Sequence, residues 1–247
     1  MKKIVSLGLV LATIFLLVFS LASCEPAAKE VENIIGKAPE VAFEEAMEQL
    51  VENPNYTINI DLSLSVLVGG MAFEAVGVND FFIFKFDGEN TYFAVSESAK
   101  SSLESFGVGD ILADIDDESW YVDGVIYERR GDEKIKYTSE KNGDDVSNVF
   151  EDALSEVVDE NKDKAKCYVQ GDRAFFAVEI TDASSMKLGM DAEKELYKVY
   201  ISSDGKIDEI VVECTLASVG VVKLTAEYDH SNISITPPKD ISNYIEK

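Results

Sequence analysis

Apolar and polar residues alternate along Tyr56–Val68. Ile58, Ile60, Leu62, Leu64, Val66 and Val68 take one side; Thr57, Asn59, Asp61, Ser63 and Ser65 take the other. Period two over such a length predicts a strand with one apolar and one wet face. The run exceeds the usual strand of about five or six residues, which predicts a long, curved antiparallel sheet. Gly69-Gly70 leads into Met71–Val78, Asn79-Asp80 into Phe81–Phe86, and Asp87-Gly88 into Thr91–Val95. Pairs of this kind between apolar runs are hairpin signals, so a meander of four strands is expected. Trp120–Val122 and Val125–Arg129 flank Asp123-Gly124 as another hairpin, and Ile135–Thr138 adds a strand. The last third returns to strands and short turns. Cys167–Gln170 pairs off with Ala174–Ile180 and Glu195–Ile201 with Ile207–Leu216; a turn at Ser218–Gly220 leads to Val221–Tyr228 and a short Ile233–Ile235.

Helical spacing occurs in fewer places. Val41, Phe43, Ala46, Met47, Leu50 and Val51 recur near a 3.6 period, with Glu44, Glu45 and Glu48 opposite, and Asn53-Pro54-Asn55 stops the run. Val146, Val149, Phe150, Ala153, Leu154, Val157 and Val158 form the longest stripe, reaching Lys162, with Asp144 and Asp145 at its start and Lys162, Lys164 and Lys166 at its end. Ser96–Glu118 reads as one or two short helices, and Asp240–Ile245 as a final helical turn. A sheet with one apolar face must cover that face, and the two amphipathic helices are the available covers. The fold class expected is therefore α+β: a long curved antiparallel sheet, an unclosed half-barrel, covered by two amphipathic helices.

The first residues are of a different kind. Lys2 and Lys3 precede an uncharged run, Ile4–Ser23, that closes on Leu21-Ala22-Ser23-Cys24. A basic flank, an apolar run and small residues before a cut site make a secretory signal peptide. The four closing residues resemble the lipobox of bacterial lipoproteins. The resemblance implies a diacylglycerol on the Cys24 thiol, cleavage just before it, and a mature protein held on the extracytoplasmic side of the cell membrane. The competing reading is an uncleaved anchor, since about 20 apolar residues can span a bilayer. Glu25 to about Pro39 is polar, so residues 24–40 read as a flexible tether, leaving residues 41–247 as one domain after a signal at 1–23.

Removal of the signal takes two lysines and no acid, so the formal charge of −25 becomes −27. Such a surface repels nucleic acid and anionic headgroups, which excludes DNA or RNA as a partner. Cys167 and Cys214 stand either as one disulfide or as two buried thiols. The one histidine, His230, follows a strand and precedes Ser231-Asn232. It reads as a strand-end surface residue, and a single histidine excludes His-rich zinc sites. Counting from Asp114, the acidic group with Asp116, Asp117 and Glu118 lacks the glycine and terminal acid of a calcium loop. No phosphate-binding glycine loop or nucleophile elbow occurs. No catalytic residue, metal ligand or cofactor is expected, and the chain is expected as a monomer. Trp120, Tyr121, Tyr127 and Tyr137 form an aromatic group, read either as a contact rim or as barrel wall.

The N-terminal helix, long meander, helical insert and closing meander resemble the LolA/LolB fold, shared with the RseB N-terminal domain and lipoproteins of the LppX/LprG type. Asn90-Thr91-Tyr92-Phe93, Trp120–Tyr127 and Ile235-Thr236-Pro237-Pro238 resemble stretches of those lipoproteins. The resemblance implies a cavity that holds acyl chains or another apolar ligand. Side chains expected to face such a lumen are Ile60, Leu62, Leu64, Phe82, Phe84, Phe86, Val212 and Leu224. The same residues also suit a solid core; the chain would then be an acidic surface scaffold or sensor that binds protein partners. In its native host, Cys24→Ala is expected to abolish incorporation of labelled palmitate and to move the protein from the membrane fraction, as checked by fractionation and autoradiography.

Overall fold

In the computed structural model the described residues are 28–68, 71–105, 116–139, 161, 164–171, 173–181, 192–216 and 220–247. Cys24 and the expected helix Val146–Lys162, Asn161 apart, lie outside them. The alternating stretches form one open sheet of thirteen strands among the described residues. A first meander runs through β2 (Tyr56–Val68), β3 (Met71–Phe86), β4 (Thr91–Val95), β5 (Glu118–Val122), β6 (Val125–Arg130) and β7 (Glu133–Thr138). A second runs through β8 (Lys166–Gln170), β9 (Arg173–Ile180), β10 (Ala192–Ile201), β11 (Ile207–Leu216) and β12 (Gly220–Asp229). They join where β12 pairs antiparallel with β2. Short strands form both edges: β1 (Lys29–Val31) pairs with β8, and β13 (Ile245–Glu246) pairs with β7.

Four expectations change. Asn79-Asp80 is not a hairpin turn, because β3 runs unbroken through it. Ile60 faces Phe82 and Leu62 faces Val78, so Asn79, Asp80 and Phe81 all bulge opposite Asp61. The Asp61 carboxylate accepts the Asp80 backbone N–H at 2.7 Å and holds Asp80 at φ +49°. Gly220 is the first residue of β12 rather than part of a turn, and the Ile233–Ile235 segment pairs with no strand. The chain then makes a 3-10 turn at Ile241–Asn243 and pairs β13 with β7 in parallel, the one non-antiparallel ladder among the described strands. The expected tether also carries structure. Besides β1, a two-residue hairpin joins Ile34 to Lys37, and Ile34 sits in the core.

Helix α1 (Pro39–Glu52) starts two residues before the expected stripe, with proline in its first turn, where a missing N–H costs nothing. Ala42, Phe43, Ala46 and Leu50 are its buried face. Val41 and Val51 fall outside it, Val41 by about half a turn. Phe43 meets Phe176 of β9 edge to face at 5.1 Å. Helix α2 (Glu97–Ser105) places Ala99 against Val78, Phe81 and Val95. The cover is thus α1 and α2 among the described residues. On the opposite face, the C-terminal segment lays Ile235 and Tyr244 over Val122 and Tyr127, with Tyr127 and Tyr244 at 5.6 Å. Trp120 and Tyr127 lie in this cluster, with a Tyr92–Trp120 ring contact at 5.3 Å, whereas the register puts Tyr121 and Tyr137 on the other face.

Gly220 lies where β12 first meets β2, and a Cβ there would stand 2.0 Å from the Ser65 carbonyl oxygen. Backbone cannot yield as a flexible side chain does. Gly220→Ala is expected to destabilise the fold by about 1–3 kcal/mol, the usual cost of overpacking, as read from urea denaturation midpoints.

Candidate ligand face and a polar cleft

Because residues directly opposite in a ladder point the same way, the register assigns every side chain to a face. One row runs Val31, Cys167, Phe176, Val199, Ile210, Ala226, Ile60, Phe82, Val95, from β1 to β4 across the sheet. No polar side chain interrupts it. The next row, Val178, Tyr197, Val212, Leu224, Leu62 and Val78, lies on the same face. The tertiary structure therefore brings Ile60, Leu62, Leu64, Phe82, Phe84, Phe86, Val212 and Leu224 together on one face, as the alternation implies. Their surroundings differ. Phe86 is closed in the main core, 5.9 Å from the Tyr56 ring. The other seven are half-buried. Ile60, Phe84 and Val212 pack against the core under α1, and Leu62 and Phe82 against the α2 cluster.

The face changes character across the sheet. Toward β9 and β10, Phe176, Val178 and Val199 are sealed beneath α1. Toward β3, β4 and β5, the inward residues Phe84, Phe93 and Ser119 are half-buried. A half-buried apolar surface beside a sealed core is the setting in which an alkyl chain gains from contact, at about 25 cal/mol per Å² removed from water.

Sequence reading missed one residue on this face. Ile180, Glu195, Cys214, Val222, Leu64 and Val76 form a third row, so Glu195 places a fully buried carboxylate among aliphatic neighbours. The Tyr197 hydroxyl donates to it at 2.8 Å. Burial and that carboxylate together push the Tyr197 pKa far up. Counting back by twos from Ile201 through Val199 and Tyr197 reaches Glu195, which was the available signal.

Cys167 and Cys214 are both buried and unbridged. The row of Cys167 reaches β11 at Ile210, three strands over and four residues from Cys214. That separates the two by roughly 19 Å, far beyond bonding reach. Burial, with Glu40 nearby, pushes the Cys167 thiol up to about 11, so it is unreactive at neutral pH. The acidic group is spent on ion pairs: Asp117 with Lys100 at 2.6 Å, Asp116 with Arg130 at 3.0 Å, Glu118 with Arg129 at 2.5 Å. Asp114 lies outside the described residues. No group of His, Cys, Asp and Glu able to hold a metal occurs among the described residues.

A polar cleft of about 490 Å³ opens at one end of the sheet. The end of α1, the β3–β4 turn, the β10–β11 turn and the end of β12 meet there. Gln49, Asn53, Asp87, Lys206, His230 and Asn232 are among its lining residues. The His230 Nε2 lies 2.7 Å from the Ile207 carbonyl oxygen, which fixes the ring at the rim. Asp87 and Asn55 are committed to the C-terminal segment. Asn55 bonds both backbone groups of Ile233, and Asp87 accepts the Ile235 N–H at 2.7 Å. This cleft is lined by none of the eight lumen candidates.

No protein-family model and no curated protein matches the sequence. Among solved structures, the chain is similar to a DUF1329 family protein from Desulfovibrio piger at 8% identity, over 77% of this chain and 91% of that one, with a TM-score of 0.17. No helix among the described residues is long and apolar enough to cross a membrane.

Burial pushes the Asp87 carboxyl upward, but the N–H groups of Ile235, Asn90 and Glu89 outweigh it and hold its pKa below the ordinary value. A folded pKa below the unfolded value of about 3.9 stabilises fully above that pH, and the contribution is lost as pH falls through the folded value. Urea midpoints of the parent and Asp87→Ala are therefore expected to differ at pH 7 and to converge as pH falls below about 4.

Proposed function

We propose that this chain is a cell-envelope lipoprotein, anchored through diacylglyceryl-Cys24 on the extracytoplasmic side. Its sheet, a LolA-like half-barrel, binds an acyl chain or another apolar ligand on the inner face. The role is binding rather than catalysis. The observation that supports this reading is the unbroken apolar row from β1 to β4, which passes from sealed core under α1 to half-buried side chains at Ile60 and Phe82. The seven half-buried lumen residues supply hydrocarbon contact with no charge among them. A monomeric domain and a ligand drawn from the membrane it is tied to fit together on this view. The competing scaffold reading has the same face filled by the protein itself.

Native mass spectrometry of the gently extracted, lipidated protein separates the two. A bound mass beyond the covalent acyl chains, displaced by labelled fatty acid, is expected. An apo mass with no uptake sinks the proposal in favour of the filled core. Leu64→Arg places a charge on the face and is expected to reduce uptake at least about tenfold. Leu64→Trp serves as the variant that keeps the face apolar but fills it, with uptake reduced and the thermal midpoint retained.

A further inference from the structure

β1 begins at Lys29 and is bonded into the sheet through Lys29–Val169, Glu30–Tyr168 and Val31–Cys167. Residues 25–28 alone separate it from Cys24. Whatever their conformation, five residue steps reach at most about 18 Å. An acylated Cys24 therefore keeps the β1 edge beside the lipid headgroups.

That edge carries an unusual turn. Ile34 and Lys37 close a two-residue hairpin through reciprocal backbone bonds of 2.9 Å, with Ile35 at φ +54° and Gly36 at φ +74°. Asn-Gly is the favoured pair in such a turn, and a β-branched residue at positive φ is a true outlier. Ile34 is pinned in the core at 1% exposure, while Ile35 stands 45% exposed at the tip. Val41, on the side of α1 turned from the sheet, is 39% exposed. Both nearby lysines are paired with acids: Lys37 with Glu45, and Lys166 with Glu30 at 3.2 Å. Glu32, Glu40 and Glu44 keep the region from being basic, so any affinity for lipid here is apolar rather than electrostatic.

Resting on the Cys24 anchor proposed above, we infer that Ile35 and Val41 enter the headgroup layer of the bilayer that holds the anchor. The domain then stands on the membrane by its β1 edge. Strain at Ile35 points an aliphatic side chain outward where a polar residue would relieve it, which is the arrangement of an interfacial contact.

The test uses the lipidated full chain in phosphatidylcholine vesicles, with an environment-sensitive label at Ile35→Cys, Val41→Cys or, on the far edge strand, Ile245→Cys. Cys167 and Cys214 are buried and do not compete for label. Iodide quenching is expected to be at least about threefold weaker at 35 and 41 than at 245, and unchanged in high salt, as apolar insertion requires. Equal quenching at all three positions, with diacylglycerol on Cys24 shown by mass, overturns this inference and leaves the anchor standing. A mature chain without that diacylglycerol overturns both. Shielding that rises with protein density on the vesicle indicates a second copy at this edge and also overturns it. Ile35→Asn suits the turn and is expected to keep or raise the thermal midpoint while weakening the shielding at position 41 at least about twofold; unaltered shielding removes Ile35 from the contact.

Discussion

The pairing of β12 with β2 is the constraint on which the inner face depends. It joins residues 220–229 to residues 57–66, the two meanders' only shared ladder among the described strands. Each meander otherwise pairs strands that follow one another along the chain. The join instead brings together segments more than 150 residues apart, and loop closure makes that contact slow and entropically costly. Side chains repay it: Ile60 meets Ala226, Leu62 meets Leu224 and Leu64 meets Val222. Without the ladder, no apolar row would run past the middle of the sheet. Gly220 permits the approach at one end, because its missing Cβ leaves room for the Ser65 carbonyl.

The two halves of the face then take different roles. Helix α1 seals the β9–β11 side through Phe43 on Phe176, and the row becomes core there. At β2 and β3 the same row continues with half-buried side chains. Two bulges in β3, opposite Asp61 and near Ser65, bend the strand without turning its apolar residues outward. Glu195, buried beside Cys214 and bonded by Tyr197, adds a polar point next to the apolar rows. A buried carboxylate is costly unless hydrogen-bonded, which is what the tyrosine supplies.

Edges and opposite face are managed by β1 and by the C-terminal segment. β1 covers β8 and β13 covers β7, blunting strands that would otherwise offer open backbone groups to other chains. The C-terminal segment does more than cap. It lays Ile235 and Tyr244 over the aromatic hairpin, and Asn55 and Asp87 hold its backbone from β2 and the β3–β4 turn. The acidic surface is tempered by cross-strand pairs such as Lys198–Glu213 at 2.7 Å and Arg173–Glu209 at 2.9 Å, the latter with Arg173 over the Tyr200 ring at 4.0 Å.

Alternation in Tyr56–Val68, Ile207–Leu216 and Val221–Tyr228 determined by itself that these are strands and which side chains share a face, because a period of two leaves no other arrangement. Turn chemistry at Asp123-Gly124 and Asp204-Gly205 likewise determined the hairpins, since Asp123, Gly124 and Gly205 take positive φ. The cover at Phe43, Ala46 and Leu50 was legible from helical spacing. Tertiary structure alone decided the rest. Asn79-Asp80 is turn chemistry that became a bulge, because Asp61 on the neighbouring strand captured its backbone. Cys167 and Cys214 look alike in sequence, but register sets them strands apart. The burial of Glu195 and the parallel docking of β13 arise from contacts distant in the chain, and no local pattern encodes a partner that only folding brings near.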